Sequence, residues 1–149
     1  METNDRIFLC KSYTLSFPTT AGTDVIDITD GVAEKVAGSG VAEGQALVFT
    51  PGSTAALTTI EYESGVVGDL IEAIGRIVPQ KAHYRHDARW GDGNGYAHVR
   101  SALLGPSLTV PVSNGRLALG TWQQIVLIDF DSRPRKRQVV VHASGVKES

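Results

Sequence analysis

Apolar and polar positions alternate with period two over much of the chain and with a helical period over a few shorter stretches. Residues 6–17, RIFLCKSYTLSF, alternate loosely and are rich in β-formers, which predicts a first strand. TDVIDI at 23–28 predicts a second, short one. Asp30 then stands as an N-cap before Val32, Ala33, Val36 and Ala37, a short helix stopped by the GSG at 38–40. QALVFT at 45–50 and AALTTIEYE at 55–63 read as strands separated by the break TPGST. VVGDLIEAIGRIV at 66–78 sets Val67, Leu70, Ile71, Ile74 and Ile77/Val78 on one helical face, and Pro79 ends it.

In the second half, Asn94 suits the N-cap of a helix over about 96–104, with Tyr96, Val99 and Leu103 facing the core. SLTVPV at 107–112 and RLAL at 116–119 flank Asn114-Gly115, a strong short hairpin signal. TWQQIVLIDF at 121–130 becomes apolar on both faces, as a central strand does, and RQVVVHA at 137–143 closes the sheet. Strands in hairpin-like succession with two to three helices predict an α+β fold, a compact single-domain sandwich with a largely antiparallel sheet over 1–149.

Composition narrows the class without changing this picture. A chain of 149 residues, 42% apolar and 20% charged, matches one ordinary globular domain, in which roughly two-thirds of the surface can be buried. The single cysteine, Cys10, excludes an intramolecular disulfide, and with no histidine near it in sequence we expect it to be a small core residue and not a nucleophile. METNDRIFLC lacks a signal-peptide pattern, and no run approaches the ~20 apolar residues of a membrane helix, so the expectation is a cytoplasmic protein without membrane contact. A net charge of −2 gives no pull towards nucleic acid. The local exception, Arg133-Pro134-Arg135-Lys136-Arg137, is either a solvated hairpin end balanced by Asp129 and Asp131 or a phosphate-binding rim.

Candidate chemistry concentrates in HYRHDARWGDGNGYAH at 83–98, which holds three of the four histidines. His98 falls in the first helical turn, where the dipole disfavours a charged imidazole, and a neutral imidazole binds metals or accepts protons. A D-G-N-G turn, left-handed at Gly93 and Gly95, would bring Asp92 and His86 towards His98. Two histidines and a carboxylate are a minimum set for a divalent ion, zinc-like or magnesium. Asp87 or Glu61 would then fix an imidazole from outside. The plainer reading makes His86 a strand residue, D-G-N-G a tight turn and Asn94 only a cap, with His83 a bystander and His142 a packed or rim residue.

Elsewhere, Gly52-Ser53-Thr54 is either an anion-binding bend or an ordinary turn. Glu61 and Glu63 alternate onto one strand face, roughly 7 Å apart, as an acid–base pair or a solvated edge. Trp122 starts a core strand and reads as a packing anchor, with stacking on a flat ligand the alternative open to it and Trp90.

FTPGSTAALTTIEYE at 49–63, YRHDARWGDGNGYAHVRSALLGPSLTVPV at 84–112 and GRLALGTWQQIVLIDFDSRPRKRQVVV at 115–141 together resemble the YjbQ-like family, often labelled secondary thiamine-phosphate synthases. The resemblance implies a compact α+β sandwich, a homotrimer with the polar cluster near a subunit boundary, and a site carried by Tyr84/His86, Asp92/Asn94 and Ala97/His98. The LGTWQ element supplies Leu119 to Gln123. Many such relatives carry a histidine where this chain has Gly52. The implied reaction transfers an aminopyrimidine-methyl group from its diphosphate onto a thiazole phosphate, releasing pyrophosphate. On that reading His86, Asp92 and His98 hold a divalent ion, Ser53, Thr54 and Arg100 approach phosphates, and Glu61 meets the aminopyrimidine or orients a histidine. Histidine-rich sites suit zinc-like ions and water activation better than magnesium–diphosphate chemistry, so hydrolysis of a small phosphorylated metabolite stands beside it. The alternative class is a non-enzymatic homo-oligomer that binds a metal or an anionic metabolite.

Overall fold

The computed structural model describes residues 6–147 and shows two antiparallel sheets and four helices. The strands are β1 (Phe8–Pro18), β2 (Asp24–Asp27), β3 (Glu43–Phe49), β4 (Ala55–Ile60), β5 (Ser107–Ser113), β6 (Arg116–Leu117), β7 (Gln124–Asp129) and β8 (Lys136–Val146). The helices are α1 (Thr29–Ser39), α2 (Ser64–Ile77), α3 (Arg85–Trp90) and α4 (Gly95–Leu104). One sheet runs β1-β8-β3-β5-β6, so β8 lies inside it between β1 and β3, and the other runs β2-β7-β4.

This layering explains the two hydrophobic patterns. Inward side chains of the five-stranded sheet, Ala46, Val48, Val110, Val139 and Val141, meet Leu57, Ile125 and Leu127 of the smaller sheet, with Val32 and Val36 of α1 closing the side. Behind the smaller sheet, Ala56, Val126, Ile128 and Phe130 pack against Val78, Tyr96 and Ala97. Strand β7 is therefore buried on both faces, and its continuous apolar run follows from having a core on each side.

Several local expectations change. Strand β4 stops at Ile60 because the Tyr62 N–H turns to Gln124 Oε1 (2.8 Å), and Glu63 caps α2 through Gly65 N (2.7 Å) and Val66 N (2.9 Å). The Val66 and Gly65 N–H groups hold the Glu63 carboxyl below its ordinary range. Glu61 and Glu63 are thus not a pair on one strand face.

Helix α1 begins two residues earlier than an Asp30 cap allows, with Ile28 at its cap. Helix α4 buries Tyr96, Ala97, Arg100 and Ser101, while Val99 (42%) and Leu103 (64%) remain exposed. Trp122 is 73% exposed and anchors nothing. Cys10 is exposed rather than in the core. Asn114 (φ 51°) and Gly115 (φ 73°) form the expected left-handed hairpin turn. No helix among the described residues is long and apolar enough to cross a membrane.

Candidate active site at the start of α4

The stretch that carries the histidines folds as two helices meeting at a sharp bend. Residues 85–90 form α3, so His86 is neither a strand nor a turn residue. Gly91 (φ 72°) and Gly93 (φ 67°) supply the left-handed positions, whereas Gly95, assigned one by the sequence, is already helical. Gly95 is required for a different reason. A Cβ there would stand 2.6 Å from Tyr84 Cβ, so only glycine lets the two helix starts approach. Asp87 Oδ1 accepts the Gly95 N–H at 2.8 Å and clamps α3 to the first turn of α4.

That clamp brings His86 against His98, ring centroids 4.3 Å apart at a 42° tilt. His86 Nδ1 lies 3.4 Å from Asp87 Oδ1, so Asp87, and not the distant Glu61, orients it. Burial pushes His98 below the ordinary imidazole range, and charge on His86 pushes the same way. Asp131, Asp92 and Asp87 pull upward without cancelling this. His98 is held neutral, which suits it to accept a proton.

Under the pair lies a buried polar network with little signal in the sequence. Asn94 sits at the N-cap of α4, but its side chain makes no cap bond. Its Nδ2 donates instead to Asp131 Oδ1 at 3.3 Å. Asp131 also accepts from Thr54 Oγ1 (3.0 Å), Ser132 N (2.7 Å) and Arg135 Nε (3.1 Å) and Nη2 (2.9 Å). Burial alone would raise this carboxyl. The bonds from Ser132, Thr54, Asn94 and Arg135 outweigh it and bring the pKa down to about 2. Arg137 holds Asp129 through Nε (2.7 Å) and Nη2 (2.8 Å) and reaches Thr54 Oγ1 at 2.6 Å. Arg135 and Arg137 of the basic run are therefore tied to the two aspartates, as the balanced-hairpin reading expects, and do not form an open phosphate rim.

Residues 13–146 match the family described as UPF0047 protein YjbQ-like. The chain belongs to that family. Among its YjbQ-like relatives, a UPF0047 protein of Archaeoglobus fulgidus is 43% identical over 129 residues, 87% of this chain and 98% of that one. UPF0047 protein YugU of Bacillus subtilis is 36% identical over 134 residues, 89% and 98% of the two chains. A YbjQ-like protein of unknown function from Sulfolobus solfataricus superposes with a TM-score of 0.83 at 31% identity, over 91% of this chain and 99% of that one.

The remaining site residues of this YjbQ-like chain divide sharply. Thr54 is buried and shared between Asp131 and Arg137, while Gly52 and Ser53 are exposed beside it. Gly52 has φ 125°, and a Cβ there would lie 3.3 Å from Arg137 Nη1, so a histidine at this position, as the resemblance implies for many relatives, would strain this loop as it stands. Arg100 is buried, with Nε and Nη2 donating to Val78 O (3.0 and 2.9 Å) and Nη1 to Thr23 Oγ1 (3.3 Å). It ties α4 to the end of α2 and does not reach towards a ligand.

Glu61 and Gln123 lie beyond the Ile60–Gln124 end of the β4–β7 pair, whereas Thr54 and Asp131 lie beyond the Ala55–Asp129 end. A six-residue strand separates the two ends by roughly 17–20 Å. Gln123 there bonds Gly120 N and Thr59. Asp92 is exposed and His83 stands apart from the pair on the exposed approach to α3. Among the described residues no three His, Cys, Asp or Glu side chains stand together as ligands for a metal ion. His86, Asp92 and His98 therefore do not make a preformed divalent site in this fold.

Proposed function

We propose that this chain is an enzyme acting on small phosphorylated metabolites, with His86 and His98 as its proton-transfer pair. The observation that carries this reading is the 4.3 Å approach of two imidazoles from different helices. Burial and the second ring keep His98 in the proton-accepting form. Asp87 supports the pair by orienting His86 and holding the helices together. The Ser53 hydroxyl, exposed beside the buried Thr54, is the group of the 52–54 bend still open to a phosphate oxygen.

Within this class the reaction that the family resemblance implies is consistent with such a pair. A thiazole nitrogen attacks the aminopyrimidine methylene carbon and the carbon–oxygen bond to the diphosphate breaks. The departing diphosphate oxygen takes a proton from an imidazolium. That reaction uses the pair only as a proton donor, since the attacking nitrogen carries no proton; hydrolysis of a phosphate ester uses both roles, with His98 accepting a proton from the attacking water and the second imidazole donating one to the leaving oxygen. The pair sits 30% exposed at His86, so a substrate of metabolite size meets it from solvent. Assembly into a homo-oligomer, a trimer by the resemblance, is part of the proposal. Support for it comes from the exposed apolar side chains Phe8, Leu47, Phe49 and Trp122.

One observation favours a second reading, a protein that binds an anionic metabolite without converting it. Arg100, Arg135 and Arg137 are all engaged by internal partners and are not free to stabilise charge in a transition state, whereas Arg85 and Arg89 on α3 stay exposed and can attract an anion. The deciding experiment incubates the wild type, His86→Gln and His98→Gln with phosphate monoesters and with aminopyrimidine diphosphate plus thiazole phosphate, following phosphorus by NMR. Loss of a proton-transfer group lowers turnover by ~10²- to 10⁴-fold. Binding without turnover in the wild type establishes the second reading, and turnover equal in all three proteins removes the pair from the chemistry.

A further inference from the structure

Helix α3 carries more exposed chemistry than the proton-transfer pair uses. At about 3.6 residues per turn, its side chains fall into neighbouring stripes. Asp87 faces α4, where it clamps Gly95. His86 and Trp90, at i and i+4, share the next stripe, with Cβ atoms roughly 5–6 Å apart. Arg85 and Arg89, also at i and i+4, share the one beyond it. An indole therefore stands one turn from the imidazole that meets His98 at 4.3 Å.

Trp90 belongs to neither hydrophobic cluster and is 64% exposed. The Arg89 guanidinium lies 5.5 Å from the centre of its ring, which occupies one π-face with a cation and leaves the other for a ligand. Past the indole, Gly91 and Gly93 have nothing within 4 Å of where a Cβ would stand, so the space there is open. Arg85 and Arg89 are exposed and make no ion pair among the described residues. Like charges at i and i+4 repel each other, and an anion lying along them relieves that repulsion. These two arginines thus offer what the internally engaged Arg100, Arg135 and Arg137 cannot.

We propose that α3 is a recognition helix for a flat aromatic ring bearing an anionic group. The ring stacks on Trp90, the anion lies along Arg85 and Arg89, and the reacting atoms reach His86 and His98. This rests on the proton-transfer reading of the histidine pair and adds its selectivity, for aromatic phosphates over aliphatic ones of equal charge. Stacking accepts any ring with a π-face, so the class selected is planarity and charge and not one particular heterocycle. Trp90 is a specificity residue on this account and takes no part in moving the proton.

The test titrates two unhydrolysable probes, phenylphosphonate and propylphosphonate, into the native full chain at a pH where both are dianions. Tryptophan indole and histidine ring signals are followed by NMR. Phenylphosphonate should bind about tenfold more tightly and shift the Trp90 indole signal. Trp90→Ala should lose that preference and Trp90→Phe keep most of it, while both bind propylphosphonate as the wild type does. Equal affinities in the wild type, or a preference that survives in Trp90→Ala, overturn the ring subsite. Imidazoles that still respond to both probes would then leave the proton-transfer site standing without it. A Trp90 signal that moves with protein concentration and not with phenylphosphonate shows a second copy covering the indole, and also overturns the proposal. Silence of indole and imidazoles alike overturns the subsite together with the reading it rests on.

Discussion

Arg137 on β8 grips Asp129 at the end of β7 through two bonds, Nε at 2.7 Å and Nη2 at 2.8 Å, and so pins one sheet to the other. Asp129 is fully buried and the Arg137 side chain 11% exposed. Removing one member of such a pair leaves a buried charge without a partner. Arg137→Ala is therefore expected to destabilise the chain by about 3–5 kcal/mol in chemical denaturation. Arg137→Met combined with Asp129→Leu should recover much of that loss. A cost below ~1 kcal/mol for the single variant would mean that the pair is solvated.

Asp131 gives a pH signature. Its pKa in the fold, about 2, lies below the ordinary 3.8, so it stabilises the fold fully above 3.8 and loses that contribution as pH falls through about 2. The difference corresponds to about 2 kcal/mol. Asp131→Asn should be less stable than the wild type at neutral pH. The gap should close as acid protonates Asp131, measured as unfolding free energy against pH. A constant gap across that window would show that the hydrogen bonds from these four residues do not act through the charge.

Gly52 is a backbone position before it is a functional one. At φ 125°, a side chain strains the loop and presses on Arg137 Nη1. Gly52→Ala and Gly52→His should each lower stability by about 1–3 kcal/mol. An unchanged thermal midpoint for Gly52→His would show that this loop readily takes up a histidine.

Trp122→Ala separates two readings of one residue. A core anchor would cost about 3–5 kcal/mol on truncation. At 73% exposure in the folded chain, the expected loss is within about 0.5 kcal/mol. If the chain assembles over this residue, its fluorescence should shift to the blue as concentration rises, and the truncation should weaken assembly rather than folding.

Strand order could not be read from the sequence, but strand identity could, because period-two alternation survives wherever one face is buried. The hairpin at Asn114-Gly115 and the doubly buried β7 were legible for the same reason. Helix α3 was not. HYRHDARW has no apolar stripe, and the helix is held by the tertiary clamp between Asp87 and Gly95. The inward face of α4 was hidden because it includes Arg100 and Ser101, polar residues satisfied by Val78 O, Thr23 and Ala55 O.

The histidine pair was legible as a cluster, and its carboxylate orienter Asp87 was among the expected partners. The surrounding Asp129–Asp131–Arg135–Arg137 network was visible only as neighbouring charges. Glu61 was grouped with the site as a carboxylate able to fix an imidazole and Gln123 by family resemblance, and strand length sets both at the opposite end of the sheet within one chain.

The most direct measurement is an NMR titration of the four imidazoles in the wild type and His86→Gln, with and without a phosphate monoester. In the free wild type His98 should titrate below the ordinary imidazole range, and its midpoint should rise when His86 is replaced, since a like-charged neighbour is removed. Because the fold favours the neutral ring, this group destabilises the chain as pH falls below ~6.5, where the unfolded imidazole takes a proton first. A bound phosphate should raise the His98 midpoint by stabilising the imidazolium. An ordinary His98 midpoint, indifferent both to His86 and to phosphate, would contradict the proton-transfer site.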